Sequence, residues 1–183
     1  MKSSLLIFVR KNWIHLLIWA LMILFVFFAP GIIDRTTLKY GKPIQVEPGA
    51  LNTSDLAKGY VDNLQPIKYQ GNYVYYITGW GFAAIDPKFS VDDYTRYLVL
   101  QSDSRTYYYS VESAERGDVR DAFPQLQLKS TNLGFNVIIA KQFIEPGKYR
   151  LGIIFRQNGT GTEYITWTPQ TIVRTKNQIS LGN

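Results

Sequence analysis

The sequence predicts an all-β domain, an antiparallel β-sandwich or jelly-roll-like fold, carried on one N-terminal transmembrane helix. Three observations predict it. Residues 12–33 contain no Asp, Glu, Lys or Arg. From Gln65 onward apolar residues recur at every second position in several runs, the period of a half-buried strand. Clusters of Gly, Pro, Asn, Asp and Ser separate those runs, as turns do.

The anchor comes first. Its apolar stretch, Trp13–Ile33, has 21 residues, about 31 Å of helix against about 30 Å of hydrocarbon. Trp13 and Trp19 suit the interfacial region, and Pro30-Gly31 can end the helix. A cleaved signal peptide would share the basic start. This stretch is too long for one, however, and Phe27-Phe28-Ala29-Pro30 puts a bulky residue and a proline around the best candidate cut. The expectation is an uncleaved anchor with residues 1–12 as a cytoplasmic tail. Lys2, Arg10 and Lys11 lie in that tail without any acid, whereas Asp34 and Glu47 flank the other side. His15, the only histidine, is placed to snorkel toward headgroups.

Residues 34–64 read as a stalk or linker. Gly41, Pro43, Pro48 and Gly49 interrupt regular structure, and Ser54 is expected to cap a short helix over Leu56–Val61. Residues 65–175 form the domain. Strands are expected at 66–70, 72–84, 94–101, 105–111, 134–140, 149–156, 163–167 and 170–174. Ser102-Asp103-Ser104 makes a hairpin of the third and fourth. Glu145-Pro146-Gly147-Lys148 and Gln157-Asn158-Gly159-Thr160-Gly161 are further turns. Between them Tyr149, Leu151, Ile153 and Phe155 give one apolar face, and Arg150, Gly152 and Arg156 a mostly wet one. A helical turn or two is expected near Asp118–Phe123. Residues 176–183 read as a loose polar tail.

Composition narrows the function. Apolar residues are 46% of 183, with 13 tyrosines, ample for a core. There is no cysteine, so no disulfide framework, thiolate nucleophile or cysteine metal site. Beyond the anchor, 17 basic and 14 acidic residues are interspersed without a basic run, which excludes nucleic acid as a partner. That part also has no histidine, which excludes Ser-His-Asp and Cys-His sites and the usual zinc sets. No catalytic, cofactor-binding or metal-ligating residue is assigned. A carboxylate-pair glycan hydrolase stays open, with Asp86, Asp92, Asp93, Glu112, Glu115, Asp118 and Asp121 as its acids.

Several local motifs read structurally. Gly79-Trp80-Gly81 lies inside a strand pattern, so its glycines mark a bulge or close backbone approach rather than a phosphate cradle. Trp80 is expected to be mostly buried. Arg116-Gly117-Asp118 spells a cell-adhesion tripeptide, but Val119 and Phe123-Pro124 behind it indicate a docked loop in which Asp118 bonds locally. The aromatic load is the most suggestive feature. Tyr107-Tyr108-Tyr109 must alternate faces, and Tyr107 and Tyr109 are expected on the outward one. With Trp167 they are the candidate glycan-binding residues, since exposed rings can stack on sugars.

Gly79-Trp80-Gly81-Phe82, the strand Tyr97–Gln101, Arg116-Gly117-Asp118-Val119, Phe123-Pro124, Gly134-Phe135 and Pro146-Gly147-Lys148-Tyr149-Arg150 follow one another in an order that resembles a known module. It is a β-sandwich found in bacterial membrane proteins of surface-polysaccharide assembly, often attached to or encoded beside glycosyltransferases. The resemblance implies a noncatalytic role in an envelope-glycan setting. Three readings follow: an extracytoplasmic accessory or glycan-binding module; a structural subunit docking on a multi-span membrane enzyme; and the carboxylate-dependent hydrolase. The expected partners are the lipid bilayer, a cell-surface glycan and a membrane glycosyltransferase.

Overall fold

The computed structural model describes residues 13–15, 17–28, 41–44, 52–69, 72–85 and 90–182. The chain divides into two compact units, Met1–Lys39 and Tyr40–Asn183. In the first, residues 13–15 and 17–28 are helical, and the apolar side chains among them are exposed, Phe27 at 77%. Among the described residues no helix is long and apolar enough to cross a membrane. The expected cytoplasmic tail and residues 29–33 of the expected span lie outside the described residues.

The second unit is two mostly antiparallel sheets, consistent with a β-sandwich. Its strands are β1 (Asn52–Thr53), β2 (Ala57–Tyr69), β3 (Asn72–Ala83), β4 (Tyr94–Gln101), β5 (Thr106–Ser110), β6 (Glu112–Ala114), β7 (Gly134–Ile139), β8 (Gly147–Gln157), β9 (Glu163–Arg174) and β10 (Ile179–Gly182). One sheet has the order β1-β9-β8-β4-β5, with β10 also paired to β9; the other runs β2-β3-β7-β6. All pairings are antiparallel except β1 with β9.

Period-two patterning sets the core. Tyr149, Leu151, Ile153 and Phe155 of β8 point inward and meet Ile77, Phe135, Val137 and Ile139 of the other sheet. The sheets approach closely because the paired residues Gly59 and Gly81 have no side chains. A Cβ at Gly59 would lie 2.4 Å from Ile153 Cδ1, and one at Gly81 would lie 3.0 Å from it. Gly79-Trp80-Gly81 is therefore a close-approach device, as its strand context indicated. Arg96 reaches across the same interior: its Nη1 donates to Gly81 O (3.2 Å) and its Nη2 to Ser113 Oγ (2.8 Å). It is only 6% exposed, and burial lowers its pKa despite the nearby Asp92 charge.

A second apolar cluster lies on the outer side of β3. Helix α1 (Gly117–Ala122) and the following turn cover it. Val119, Phe82 and Leu133 are buried there, and Phe123 packs on Trp80 and Phe82, with ring centroids 5.8 and 5.2 Å away. Trp80 is thus half-buried under this cover and also stacks with Tyr60. The adhesion-like tripeptide is closed on itself, because Arg116 donates to Asp118 and also to Asp62 of β2. That pairing holds Asp118 below the usual carboxylate range.

Three expectations are corrected. The short helix over Leu56–Val61 is the start of β2. Ser54 does cap a turn, its Oγ accepting from Leu56 N–H (3.2 Å) and its carbonyl from Ala57 N–H (3.1 Å), but the chain leaves that turn extended. Twelve residues of β3 offer β2 a complete pairing partner, and tertiary pairing overrides local preference. For the same reason residues 52–64, read as linker, belong to the sheets. The tail is not loose either: Ile179 is 4% exposed in the core, and β10 pairs with β9 through a turn in which Thr175 N–H donates to Gln178 O.

Candidate ligand face on the six-stranded sheet

The β4–β5 hairpin forms as its turn residues indicated, yet its register reverses the expected tyrosine faces. Tyr109 opposes Leu98 and Tyr107 opposes Leu100, and both leucines are core residues. Tyr109 is 1% exposed. Tyr107 is half-buried, packs edge-on against Tyr149 and accepts the Glu145 N–H. Neither lies on the outer face. Tyr108 is the residue that points away, and it too is buried, packed with Val99, Ile154 and Ile165. A one-residue change of parity exchanges the whole face, and sequence alone does not say which tyrosines take the inner one.

Trp167 does lie on the outer face. β8 is the middle strand there, and it presents Lys148, Arg150, Gly152, Ile154 and Arg156 outward, since the intervening residues are core. Trp167 opposes Gly152. A Cβ at Gly152 would come 2.8 Å from Trp167 Cε3, so the absent side chain makes the seat for the indole edge. Arg150 completes the seat with its Cζ 4.2 Å from the indole centroid, a cation–π contact. Just beyond Trp167 the register of β9 shifts. Thr168 Oγ1 donates to Leu151 O (3.1 Å) there, and Gln170 Nε2 to Val61 O (3.0 Å) on the opposite sheet. Pro169 is tolerated in such a bulge because no ladder hydrogen bond is asked of it.

Tyr97, on the other flank of β8, opposes Ile154. The Tyr97 and Trp167 positions are two strands and one two-residue step apart, roughly 12 Å across the sheet. Arg156 lies 5.3 Å over the Tyr97 ring. Its Nε donates to Glu163 Oε1 (2.7 Å), and Nη2 reaches the same oxygen. This pairing raises the Arg156 pKa. Thr95 Oγ1 donates to Asn158 Oδ1 (2.8 Å) beside it. The face is therefore two half-buried rings, each under an arginine, on an apolar floor of Val99, Ile154 and Ile165 with polar groups at its rim.

Tyr97, Arg150 and Arg156 were missed as ligand-face residues. The alternation along β8 already placed both arginines on the wet face; their juxtaposition with the rings depends on strand register, which local sequence does not carry. The hydrolase acids are engaged locally. Asp93 accepts the Ser90 N–H and closes a capping box, Asp92 accepts from Asn132, and Asp118 and Asp121 pair with Arg116 and Arg120. Glu112 and Glu115 are exposed, and Asp86 lies outside the described residues. Among the described residues, no group of three or more His, Cys, Asp or Glu side chains is arranged to hold a metal. No protein-family model, curated protein or solved structure matches this chain.

Proposed function

We propose that this chain is a membrane-anchored, extracytoplasmic accessory module that binds cell-envelope glycan on the outer face of its six-stranded sheet, beside surface-polysaccharide machinery. The observation that carries the reading is Trp167, seated on Gly152, stacked by Arg150 and set diagonally to Tyr97. The parts of these rings that Arg150 and Arg156 leave uncovered offer flat apolar surface to sugars, with hydrogen-bonding groups within reach. Shallow stacking leaves much of a ligand in water, so affinities of about millimolar to tens of micromolar are expected. The anchor half of the reading rests on the uncharged stretch of residues 13–33 and on the exposed apolar side chains of the helical residues 17–28, a surface suited to lipid.

The test is titration of the full chain in mild detergent with host envelope polysaccharide. Trp167→Ala and Tyr97→Ala should each weaken binding about tenfold or more, about 1.4 kcal/mol, measured at a temperature where melts show both variants still folded. Protease added to intact spheroplasts should degrade the domain; complete protection, or a mature N-terminus near Pro30, would refute the anchored topology. One observation favours the docking-subunit reading instead. Tyr73, close to the turn of the long β2–β3 hairpin, is 76% exposed, as a partner-facing anchor would be. Failure to bind any host glycan, with stable co-purification of a multi-span protein that Tyr73→Ala releases, would decide for docking.

A further inference from the structure

The charges of the domain are interspersed in the sequence but segregated on this sheet. Along the outward row of β8 stand Lys148 and Arg150, both exposed, and then Arg156. Of these, only Arg156 has a carboxylate partner among the described residues, the buried Glu163. The outward positions of β4 and β5 add Thr95, Gln101, Thr106 and Ser110 at their polar places, with no acid. Two exposed acids stand at the rim, Asp103 in the β4–β5 turn and Glu145, and Arg105 holds Glu145 at 2.7 Å. Three cations therefore meet one carboxylate on the face that carries Trp167 and Tyr97, and Lys148 and Arg150 lie within about 7 Å of each other along the strand.

We infer that the ligand of this face is an acidic glycan, one bearing carboxylates on its sugar rings, with Trp167 and Tyr97 stacking the rings and Arg150 and Lys148 binding the acid groups. The inference rests on the glycan reading above and names its substrate class. Arg150 is suited to this part. Its guanidinium offers a fork of N–H donors that matches a carboxylate. Its stack on Trp167 holds that fork beside the ring platform in advance, so little side-chain freedom remains to be lost on binding. A ligand that stacks on Trp167 must pass alongside this cation. Binding should then fall as salt rises, because the contributing charges are exposed.

The experiment uses the full chain in phosphatidylcholine nanodiscs. The probes are oligogalacturonate and alginate oligomers, each compared with its carboxyl-reduced, neutral counterpart, at low and high NaCl. The expected result is acidic oligomers bound at least about tenfold more tightly than the reduced ones, with the preference shrinking at high salt. Arg150→Gln and Lys148→Gln should each remove most of that preference, and Lys68→Gln, the same charge change on the β2–β3 hairpin, should leave it intact. Unchanged melting temperatures would show that all three variants fold. Equal binding of acidic and reduced oligomers, or a preference untouched by Arg150→Gln, overturns the acidic assignment. If Trp167→Ala still abolishes binding of the neutral oligomers in that case, the glycan reading itself survives. Binding of neither class overturns both.

Discussion

Tyr109→Phe is the substitution on which the two faces of the hairpin can be told apart. Tyr109 is 1% exposed, and its hydroxyl has no hydrogen-bond partner among the described residues. Burial, followed by the neighbouring Tyr107 and Tyr149, pushes its pKa well above the ordinary tyrosine value. A buried hydroxyl without a partner costs about 1–3 kcal/mol. Phenylalanine keeps the ring that packs against the core and removes the oxygen, so Tyr109→Phe should raise stability by about 1 kcal/mol. Tyr109→Ala deletes the ring as well, and the cavity should cost about 3–5 kcal/mol. The assay is urea denaturation followed by Trp fluorescence, with midpoints compared at constant slope. Glycan affinity should be unchanged in the phenylalanine variant, since the ring lies on the inner face. A Phe variant destabilised by more than about 1 kcal/mol would mean that the hydroxyl is engaged. An Ala variant as stable as the parent would put Tyr109 on the surface and sink the register argument.

Three other outcomes follow from the same geometry. Gly79→Ala should destabilise by about 1–3 kcal/mol, because its Cβ would lie 2.4 Å from Tyr60 O and 2.5 Å from Phe135 Cζ. Gly117→Ala, in open space in the first turn of α1, should gain about 0.4–1 kcal/mol; thermal melts of the two read the contrast. Arg96→Ala should cost about 3 kcal/mol from the cavity and the lost bonds across the sheets, and should leave the secondary-structure spectrum of the folded protein intact. At alkaline pH, burial and then Tyr107 push Tyr149 up to about 12. The folded state therefore holds this proton where the unfolded chain has released it. Stability is full below about pH 10 and is lost as pH rises toward about 12. Tyr149→Phe should start less stable at neutral pH, having lost the bond to Glu145 O (2.7 Å), and should show a flatter alkaline limb in a pH series of melts.

Much of the fold was legible because period two and turn chemistry are local. Tyr149, Leu151, Ile153 and Phe155 announced an inner face, and the Gln157–Gly161 turn carries the positive φ at Gly159 and Gly161 that its glycines allow. What failed depended on partners far away in sequence. Leu56–Val61 has a capping serine before it, and nothing local says that β3 will pair with all of β2. The residues after Lys176 look polar, and Ile179 becomes core only because β9 offers an edge. For the site, local pattern supplied Trp167 but not its surroundings. Parity assigns a residue to one of two faces, and which face is inner follows from register, here Leu98 against Tyr109.

The motif segments Gly79–Phe82, Arg116–Val119, Phe123-Pro124 and Gly134-Phe135 lie on the four-stranded sheet and its cover, opposite the candidate face. Gly79 and Gly81 permit close backbone approach, Trp80, Phe82, Val119 and Phe123 build the covered cluster, and Arg116 ties the α1 loop to Asp62. Gly134 gives Arg116 room, since a Cβ there would lie 2.7 Å from Arg116 Cγ. Two motifs lie on the six-stranded sheet: Tyr97–Gln101 of β4, whose Tyr97 is itself a ring of the outer face, and Pro146–Arg150, where Tyr149 enters the core and Arg150 turns outward onto Trp167. Alternation along one strand thus joins a packing residue to a ligand-facing one. The other motifs explain how the sandwich is held, and they constrain the outer face of the six-stranded sheet only through the core. Tyr97, Lys148 and Arg150 of that face belong to the motifs, whereas Trp167 and Arg156 lie outside them, so on the glycan reading proposed above a change of ligand is to be sought first at Trp167 and Arg156.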